Sequence, residues 1–271
     1  MALSPLAQKY DQFILDLDGC VWIGPEPIPG SIEAIAALRE AGKRVAFVTN
    51  NSRDSGEAYV RKLWGMGVQA SLMDVVTVGG AMQHLLAETR RNRTAFVLGT
   101  DAMIEHVRSA GLKVLNGTDL ASRADVVVVS GTDYMTYDDL KNASLAVSRG
   151  ADFLASGRDN TYPMPDGPWP GTGAIVVAVE YVTGRTAAIV GKPEPQVMIT
   201  AIDRLGEGRT LVVGDRLDTD IAAAAAAHLD SALVLTGHTT PEEAEEARRR
   251  PKDQPRPVAV AESLGALVQS G

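Results

Sequence analysis

The sequence predicts an α/β protein whose core is a doubly wound parallel sheet. Short apolar runs alternate with segments in which apolar residues recur at helical spacing. Several runs end in acidic or other polar residues, which is typical of the ligand-binding edge at the carboxyl ends of parallel strands. The chain has 271 residues and no fixed repeat period, so it is long enough for one large domain or two modest ones.

The first apolar run, residues 13–15, leads into Asp16 and Asp18 and then into Gly19. A buried strand brings acids to its exposed carboxyl end in this way. Alternation along an ideal strand would place both acids on one side, where they share a cation or act as nucleophile and proton donor. Gly19 lets the backbone turn or a ligand approach closely.

A second polar tip follows a second strand. After a proline-rich loop, Ser31 is predicted to cap a helix over 32–41, and a buried strand over 44–48 comes next. Thr49, Asn50 and Asn51 follow that strand and offer hydroxyl, amide and backbone donors to an oxyanion. The next helix is predicted over 54–64.

The middle of the chain continues the alternation of strands and helices. Strands are predicted from 75 and over 94–98, 126–129, 153–155 and 186–190, and helices over 102–110, 137–148 and 174–181. The proline-rich segment 156–172 is predicted to be irregular, but it carries Tyr162 and Trp169. Two aromatic rings in such a loop indicate either local packing or contact with a ligand.

The last third supplies a lysine and a second group of acids. Lys192, between a glycine and a proline, is expected to lie at the edge of the sheet after a buried strand. A helix over 196–205 and a strand over 210–213 lead to Asp215, Asp218 and Asp220, of which Asp218 is predicted to cap the next helix. A strand over 231–235, a helix over 241–250 and a final short strand and helix complete the chain.

The residue types and net charge of the chain limit which cofactor, partners and cellular location are expected. The oxygen ligands without a cysteine and histidine set indicate a hard cation, Mg²⁺ rather than Ca²⁺ or Zn²⁺. A net charge of −8 and a pI near 5.1 argue against nucleic-acid polymers and anionic membranes as partners. The single Cys20, the lack of a signal-like amino terminus and the lack of an apolar stretch of ~20 residues predict a cytoplasmic protein.

Four motifs in this order resemble those of the haloacid dehalogenase-like hydrolases: residues 16–19, 49–51, 191–193 and 214–220. The resemblance is to the branch with p-nitrophenyl, phosphoglycolate, glycerol-phosphate and nucleotide phosphatases. It implies a Rossmann-like core, 1–78 and 185–271, with an inserted α/β cap domain, 79–184. Relatives often dimerise through the cap, which implies a homodimer through this surface.

The resemblance also implies a role for each motif residue. Asp16 is the nucleophile and Asp18 the general acid and base. Mg²⁺ is held by Asp16, the backbone carbonyl of Asp18 and Asp215. The phosphoryl oxygens are held by Thr49, Asn50, Asn51 and Lys192. Asp220 orients Lys192 or metal-bound water.

The implied function is Mg²⁺-dependent hydrolysis of a small phosphomonoester through an aspartyl-phosphate. A dehalogenase is disfavoured by Asp18, because its reaction has no leaving oxygen to protonate. A phosphotransferase, or a phospho-accepting signalling protein with the same acidic Mg²⁺ site, stays an alternative.

The substrate stays open among sugar, glycerol, glycolate and nucleotide phosphates. Residues 156–159 depart from the usual substrate loop of the relatives. In that loop Arg158 is predicted to meet a second anionic group, and Tyr162 a hydroxyl or ring of the substrate.

Overall fold

The computed structural model describes residues 2–52, 54–164, 167–251 and 254–270. The chain forms two compact units. The first contains Met1–Thr49, Gly56–Val76 and Lys192–Gly271, and the second contains Asn50–Ser55 and Thr77–Gly191.

The first unit contains a six-stranded sheet and a separate two-stranded hairpin. Its strands are β1 (Gln12–Asp16), β2 (Trp22–Ile23), β3 (Glu26–Pro27), β4 (Arg44–Thr49), β5 (Val75–Thr77), then, later in the chain, Thr210–Gly214, Asp230–Val234 and Ala259–Ala261. Its helices are α1 (Ser31–Glu40), α2 (Gly56–Gly65) and, later in the chain, Gln196–Leu205, Ala222–Ala226, Pro241–Arg248 and Leu264–Val268.

The second unit has its own sheet. Its strands are β6 (Thr94–Leu98), β7 (Lys113–Val114), β8 (Val126–Val129), β9 (Asp152–Ala155), β10 (Thr161–Met164), β11 (Gly167–Pro170) and β12 (Ala188–Ile189). Its helices are α3 (Val78–Thr89), α4 (Asp101–Ser109), α5 (Tyr137–Ser148) and α6 (Thr172–Thr183). In chain order, the later elements of the first unit are α7 (Gln196–Leu205), β13 (Thr210–Gly214), α8 (Ala222–Ala226), β14 (Asp230–Val234), α9 (Pro241–Arg248), β15 (Ala259–Ala261) and α10 (Leu264–Val268).

The two main sheets confirm the predicted parallel α/β class. The first unit has the order β15-β14-β13-β1-β4-β5, and the second has β12-β9-β8-β6-β7. In the first, β1 is central and pairs in parallel with both β13 and β4. Its residues are all buried, as expected for a strand covered on both faces. Because these strands are parallel and adjacent, Asp16, Thr49 and Gly214 end them at one edge of the sheet.

Apolar side chains from strands and helices form a separate core in each unit. In the first unit, Phe13, Leu15 and Phe47 pack with residues of α1 and α2. In the second, Val127 and Val129 pack with Val176 and Val179 of α6. Burial of such side chains stabilises each unit by about 1.5–3 kcal/mol per large residue.

Three local predictions are wrong. Gly30, not Ser31, precedes α1, and the Ser31 hydroxyl instead donates to the Val21 carbonyl at 2.8 Å. The segment 156–172 is not wholly irregular, since β10 and β11 pair as an antiparallel hairpin. A two-stranded ribbon tolerates prolines because neither strand has to donate to a further neighbour.

The third wrong prediction concerns the strand before Lys192. That strand, β12, pairs with β9 in the sheet of the second unit. Lys192 therefore does not follow a strand of the first unit's sheet, but begins the segment that enters α7.

No helix of the described part of the chain has the length and apolar character needed to cross a membrane.

Candidate active site

Three buried carboxylates converge at the carboxyl edge of the first unit's sheet. Asp16, Asp215 and Asp220 each place one oxygen within 4.8 Å of the other two. Asp16 ends β1, and Asp215 directly follows β13, the neighbouring parallel strand. Asp220 lies in the π-helical turn Leu217–Ile221, which follows β13. Parallel pairing of β1 with β13 therefore brings together acids that are about two hundred residues apart.

A buried ammonium joins two of these acids. Lys192 Nζ donates to Asp16 Oδ1 at 2.5 Å and to Asp220 Oδ1 at 2.6 Å. The side chains of all three residues are at most 9% exposed. Removing charges from water is costly unless they are paired, so the lysine stabilises both acids in this position.

Asp215 is held by a loop that follows β14. Its Oδ2 accepts the backbone N–H of His238 at 2.7 Å, and its backbone carbonyl accepts the Thr239 hydroxyl at 2.6 Å. Its Oδ1 is buried and has no hydrogen-bond partner. A buried carboxylate oxygen without a partner costs free energy, and a bound cation removes that cost.

Two glycines leave room for this carboxylate. A Cβ at Gly237 would lie 2.0 Å from Asp215 Oδ2, and a Cβ at Gly19 would lie 2.6 Å from the same atom. Gly19 also has a φ of 85°, which places it in the left-handed region that favours glycine. Both positions therefore exclude any side chain while Asp215 keeps its place.

The charges in this cluster do not balance. Burial raises the pKa of Asp16, and the Lys192 ammonium opposes that rise. Burial, with Asp220 adding to it, raises the pKa of Asp215 to about 6. Burial alone would lower the pKa of Lys192, but Asp16 and Asp220 outweigh it and the lysine stays charged. Three acids share one ammonium, which leaves a negative potential that favours a further cation.

Asp18 lies apart from the three buried acids. Because β1 ends at Asp16, the alternation predicted for Asp16 and Asp18 does not continue, and Asp18 is exposed. The chain turns there, with Val21 and Trp22 donating to the Leu17 carbonyl. Asp18 Oδ1 accepts the indole N–H of Trp22 at 2.8 Å. The side chain of Asp18 is thus no member of the carboxylate cluster, and only its backbone carbonyl stays a predicted metal ligand.

The second polar tip begins at the same edge. Thr49 ends β4, which pairs with β1 up to Asp16 and Val48, and its side chain is buried. Asn50 and Asn51 follow it in the chain and are half-buried. They belong to the second compact unit, whereas Thr49 belongs to the first.

The remaining acids of the second cluster have different partners. Asp220 Oδ2 accepts the backbone N–H of Arg216 at 3.1 Å, so both of its oxygens are engaged. This supports its predicted role in orienting Lys192. Asp218 pairs with the Arg216 guanidinium at 2.9 Å, which lowers its pKa. The prediction of Asp218 as a helix cap is wrong, since no side chain caps the turn that begins after Arg216.

The predicted substrate-loop residues lie in the second unit. The Arg158 guanidinium forms a two-pronged ion pair with Glu180 of α6, which lowers the pKa of Glu180. Tyr162 lies in β10, but its side chain is outside the part of the chain that the structure describes.

None of the predicted motifs includes Trp22, which contacts Asp18, or the loop at His238, which contacts Asp215. A signal exists for the first, because a tryptophan in an apolar environment needs a partner for its N–H, and Asp18 is four residues away. The loop gave no comparable signal. The loop binds Asp215 through the backbone N–H of His238, and its close approach is possible because Gly237 has no side chain.

The donor set fits a small hard cation. Asp16 and Asp215 offer carboxylate oxygens, and Asp215 Oδ1 is buried without a partner. The backbone carbonyl of Asp18 stays a predicted third ligand. Oxygen donors of this kind suit Mg²⁺, which keeps some of its waters and binds one or two carboxylates together with a phosphate oxygen.

Comparisons with known proteins agree with this geometry. A family model described as haloacid dehalogenase-like hydrolase matches residues 13–113, and another described as HAD-hydrolase-like matches residues 189–267. The D-glycerol 3-phosphate phosphatase of Mycobacterium tuberculosis is 36% identical over 236 residues, which are 87% of this chain and 65% of that protein. This chain thus spans about two thirds of its length.

Two further similarities extend over at least 90% of this chain. The acid sugar phosphatase of Staphylococcus haemolyticus is 32% identical over 90% of this chain and 92% of its own length. A crystal structure of glycerol phosphate phosphatase from Mycobacterium tuberculosis in complex with magnesium matches with a TM-score of 0.88 and 35% identity. That match covers 99% of this chain and 79% of the other.

Proposed function

This chain belongs to the haloacid dehalogenase-like hydrolases, and from that premise we propose that it is a Mg²⁺-dependent phosphatase of small phosphomonoesters. The observation that carries the proposal is the buried cluster in which Lys192 joins Asp16 to Asp220 while Asp215 keeps an unpartnered oxygen. An acid nucleophile beside an ammonium and a cation site is suited to attack on a phosphate dianion.

In the first step, a carboxylate oxygen of Asp16 attacks phosphorus and the bond from phosphorus to the ester oxygen breaks. Asp18 gives its proton to the leaving oxygen, which departs as an alcohol. Lys192 and Thr49 donate hydrogen bonds to the phosphoryl oxygens and stabilise their charge in the transition state. The product bound to the enzyme is an aspartyl-phosphate at Asp16.

In the second step, water attacks the phosphorus of the aspartyl-phosphate. Asp18, now ionised, accepts the proton of that water, and the bond from phosphorus to Asp16 breaks. Inorganic phosphate leaves, and both aspartates return to their starting states. Asp18 therefore acts as acid in one step and as base in the next.

Asp16, Asp215 and the backbone carbonyl of Asp18 are the proposed Mg²⁺ ligands. When bound, Mg²⁺ reduces the repulsion between the Asp16 carboxylate and the phosphate. Asn50 and Asn51 are proposed to add donors to the phosphoryl group, and Asp220 to orient Lys192.

The proposed substrates are glycerol phosphate and sugar phosphates. The support comes from the names of the relatives, a D-glycerol 3-phosphate phosphatase and an acid sugar phosphatase. Residues 79–184 are proposed to form the cap domain that selects among them, with Arg158 and Tyr162 in its substrate loop.

A homodimer through the cap is also proposed. In α6, Val177, Tyr181 and Val182 are all more than half exposed, and exposed apolar surface of this kind supports association with a second copy. A cytoplasmic location is proposed from the single buried Cys20, which fits a reducing compartment.

A Mg²⁺-dependent screen of phosphate esters tests the proposed function. The enzyme is expected to release many equivalents of phosphate from glycerol and sugar phosphates, and none after the metal is chelated. Transfer of a single phosphoryl group to the protein without further release would favour the phospho-accepting alternative. Alkyl phosphates formed by transfer to an added alcohol would favour a phosphotransferase.

A further inference from the structure

The indole of Trp22 is hydrogen-bonded to the side chain of Asp18, which is proposed to transfer protons in the reaction. Its N–H donates to Asp18 Oδ1 at 2.8 Å, and Trp22 is fully buried while Asp18 is exposed. We propose that Trp22 is a positioning residue that fixes which oxygen of Asp18 carries the transferred proton. This inference rests on the proposed role of Asp18 as general acid and base.

The backbone fixes Trp22 relative to the end of β1. The backbone N–H of Trp22 donates to the Leu17 carbonyl at 3.1 Å, and the backbone carbonyl of Trp22 accepts the Gly19 N–H at 2.8 Å. Trp22 also begins β2, which pairs with β3 in a short hairpin. Together with the indole hydrogen bond, these contacts hold both ends of the turn that contains Asp18 and favour the carboxylate orientation in which Oδ1 faces the indole.

Helix α2 holds the indole ring itself. Tyr59 and Lys62 lie three residues apart on one face of α2. The rings of Tyr59 and Trp22 are nearly parallel, with an angle of 5° and centroids 6.3 Å apart. Lys62 Nζ lies 3.9 Å from the centroid of the Trp22 ring and donates to the Gly24 carbonyl at 2.8 Å. Stacking and the cation keep the N–H directed at Asp18.

The chemical consequence concerns the two oxygens of Asp18. The carbonyl oxygen of a protonated carboxyl group accepts a hydrogen bond better than its hydroxyl oxygen does, so the indole N–H favours Oδ1 as the oxygen without a proton. The proton therefore sits on Oδ2, passes from Oδ2 to the leaving ester oxygen, and returns to Oδ2 from the attacking water. Without the indole N–H, either oxygen carries the proton, and a fraction of the molecules present it away from the leaving group.

Leaving-group dependence tests this role. A strongly basic alkoxide needs the proton of Asp18, whereas p-nitrophenolate leaves readily without it. The quantity to compare is kcat/KM, which covers binding and departure of the leaving group but not hydrolysis of the aspartyl-phosphate. For Trp22→Phe, we expect kcat/KM for glycerol 3-phosphate to fall at least about tenfold more than kcat/KM for p-nitrophenyl phosphate.

Two further variants separate positioning from packing. Replacing Trp22 with 3-benzothienylalanine keeps the size and stacking of the ring but removes the N–H, and it is expected to reproduce the selective loss. Trp64→Phe is the matched control, because Trp64 is 62% exposed and donates to the Ala70 carbonyl. It should leave both kcat/KM values unchanged.

Equal losses with both substrates, or no loss with the thienyl analogue, would overturn the inference. These results differ from failure of the proposed function, in which the wild-type protein hydrolyses neither ester. If Trp22→Phe fails to fold, the analogue alone decides the question, because its ring fills the same space.

Discussion

Lys192 donates from a buried ammonium to Asp16 Oδ1 at 2.5 Å. The same ammonium contacts Asp220 Oδ1. One cation therefore contacts both the proposed nucleophile and Asp220, the acid proposed to orient the lysine. A phosphate drawn to this ammonium would arrive beside the proposed nucleophile, which connects binding with reaction.

Replacing Lys192 should destabilise the metal-free protein. Lys192→Met leaves Asp16 and Asp220 buried without their common partner, and removal of one member of a buried ion pair costs about 3–5 kcal/mol. We expect the free energy of unfolding in urea to fall by about 3 kcal/mol, with Mg²⁺ restoring part of the loss. Lys9→Met, at an exposed lysine, is the control and should change little. An unchanged free energy of unfolding in Lys192→Met would show that the ion pair contributes nothing to stability.

A methyl group at Gly237 should disrupt the proposed metal site. The new Cβ would lie 2.0 Å from Asp215 Oδ2, so the carboxylate has to move. We expect Mg²⁺ to bind at least about tenfold more weakly to Gly237→Ala, with a similar loss of kcat/KM. Isothermal titration calorimetry measures the first quantity.

The matched control for this substitution is Gly65→Ala. Gly65 ends α2, and a Cβ there meets nothing within 4 Å. Alanine favours a helix over glycine, so this variant should keep its Mg²⁺ affinity and gain up to about 1 kcal/mol of stability. Equal Mg²⁺ affinities in both variants would mean that Asp215 does not hold the metal.

The affinity for Mg²⁺ should depend on pH because Asp215 must be ionised to bind it. Its pKa in the folded, metal-free protein is about 6, above the ordinary value of 3.8. As pH falls through 6, protons compete with the metal, and binding should be about tenfold weaker at about pH 5 than at about pH 7.5. Calorimetric titrations at these two values provide the test. Equal affinities at both would exclude proton competition at this carboxyl group.

The raised pKa of Asp215 also makes the free energy of unfolding of the metal-free protein depend on pH. Between about pH 4 and pH 6 the folded protein binds the Asp215 proton more tightly than the unfolded chain does. The contribution of this group to the free energy of unfolding therefore decreases as pH rises through that range, and it stays at its lower value above pH 6. Mg²⁺ should remove this loss.

Arg158 can be tested against its ion-pair partner. If Arg158 recognises a second anionic group, Arg158→Ala should raise KM by about tenfold for esters that carry an anionic group besides the phosphate. The value of kcat should change little, because only a binding contact is lost. Glu180→Gln removes the partner carboxylate but keeps the guanidinium, so it should not raise KM. Equal effects of both substitutions would assign Arg158 to the structure of the second unit alone. Unchanged kcat/KM in Arg158→Ala and in Tyr162→Phe over a phosphate-ester panel would show that the substrate-loop assignment is wrong.

The sequence predicted the first unit's strands well because buried parallel strands have a strong signal. The runs 13–15, 44–48 and 210–213 all lie in neighbouring strands, and the polar residues after them meet at one edge. Short apolar runs that end in polar residues leave few other structures, since both faces of such strands are covered by helices.

Contacts between distant backbone atoms could not be predicted in this way. The strand before Lys192, β12, pairs with β9 and so lies outside the sheet that carries Asp16. Nothing in the apolar pattern of 186–190 indicates which sheet this strand joins. The turn after Asp16 and the approach of Gly237 to Asp215 depend on tertiary packing. Such features have no local pattern in the sequence.

The most direct test of the proposed reaction is to trap the phosphoryl group on the protein. Asp18→Asn removes the base that activates water, so the intermediate should accumulate with p-nitrophenyl phosphate, whose leaving group needs no proton from Asp18. After an acid quench, mass spectrometry of the peptides should find one phosphoryl group on Asp16, and none in the variant that also carries Asp16→Asn. A phosphoryl group on another residue, or steady turnover by Asp16→Asn, would contradict the mechanism.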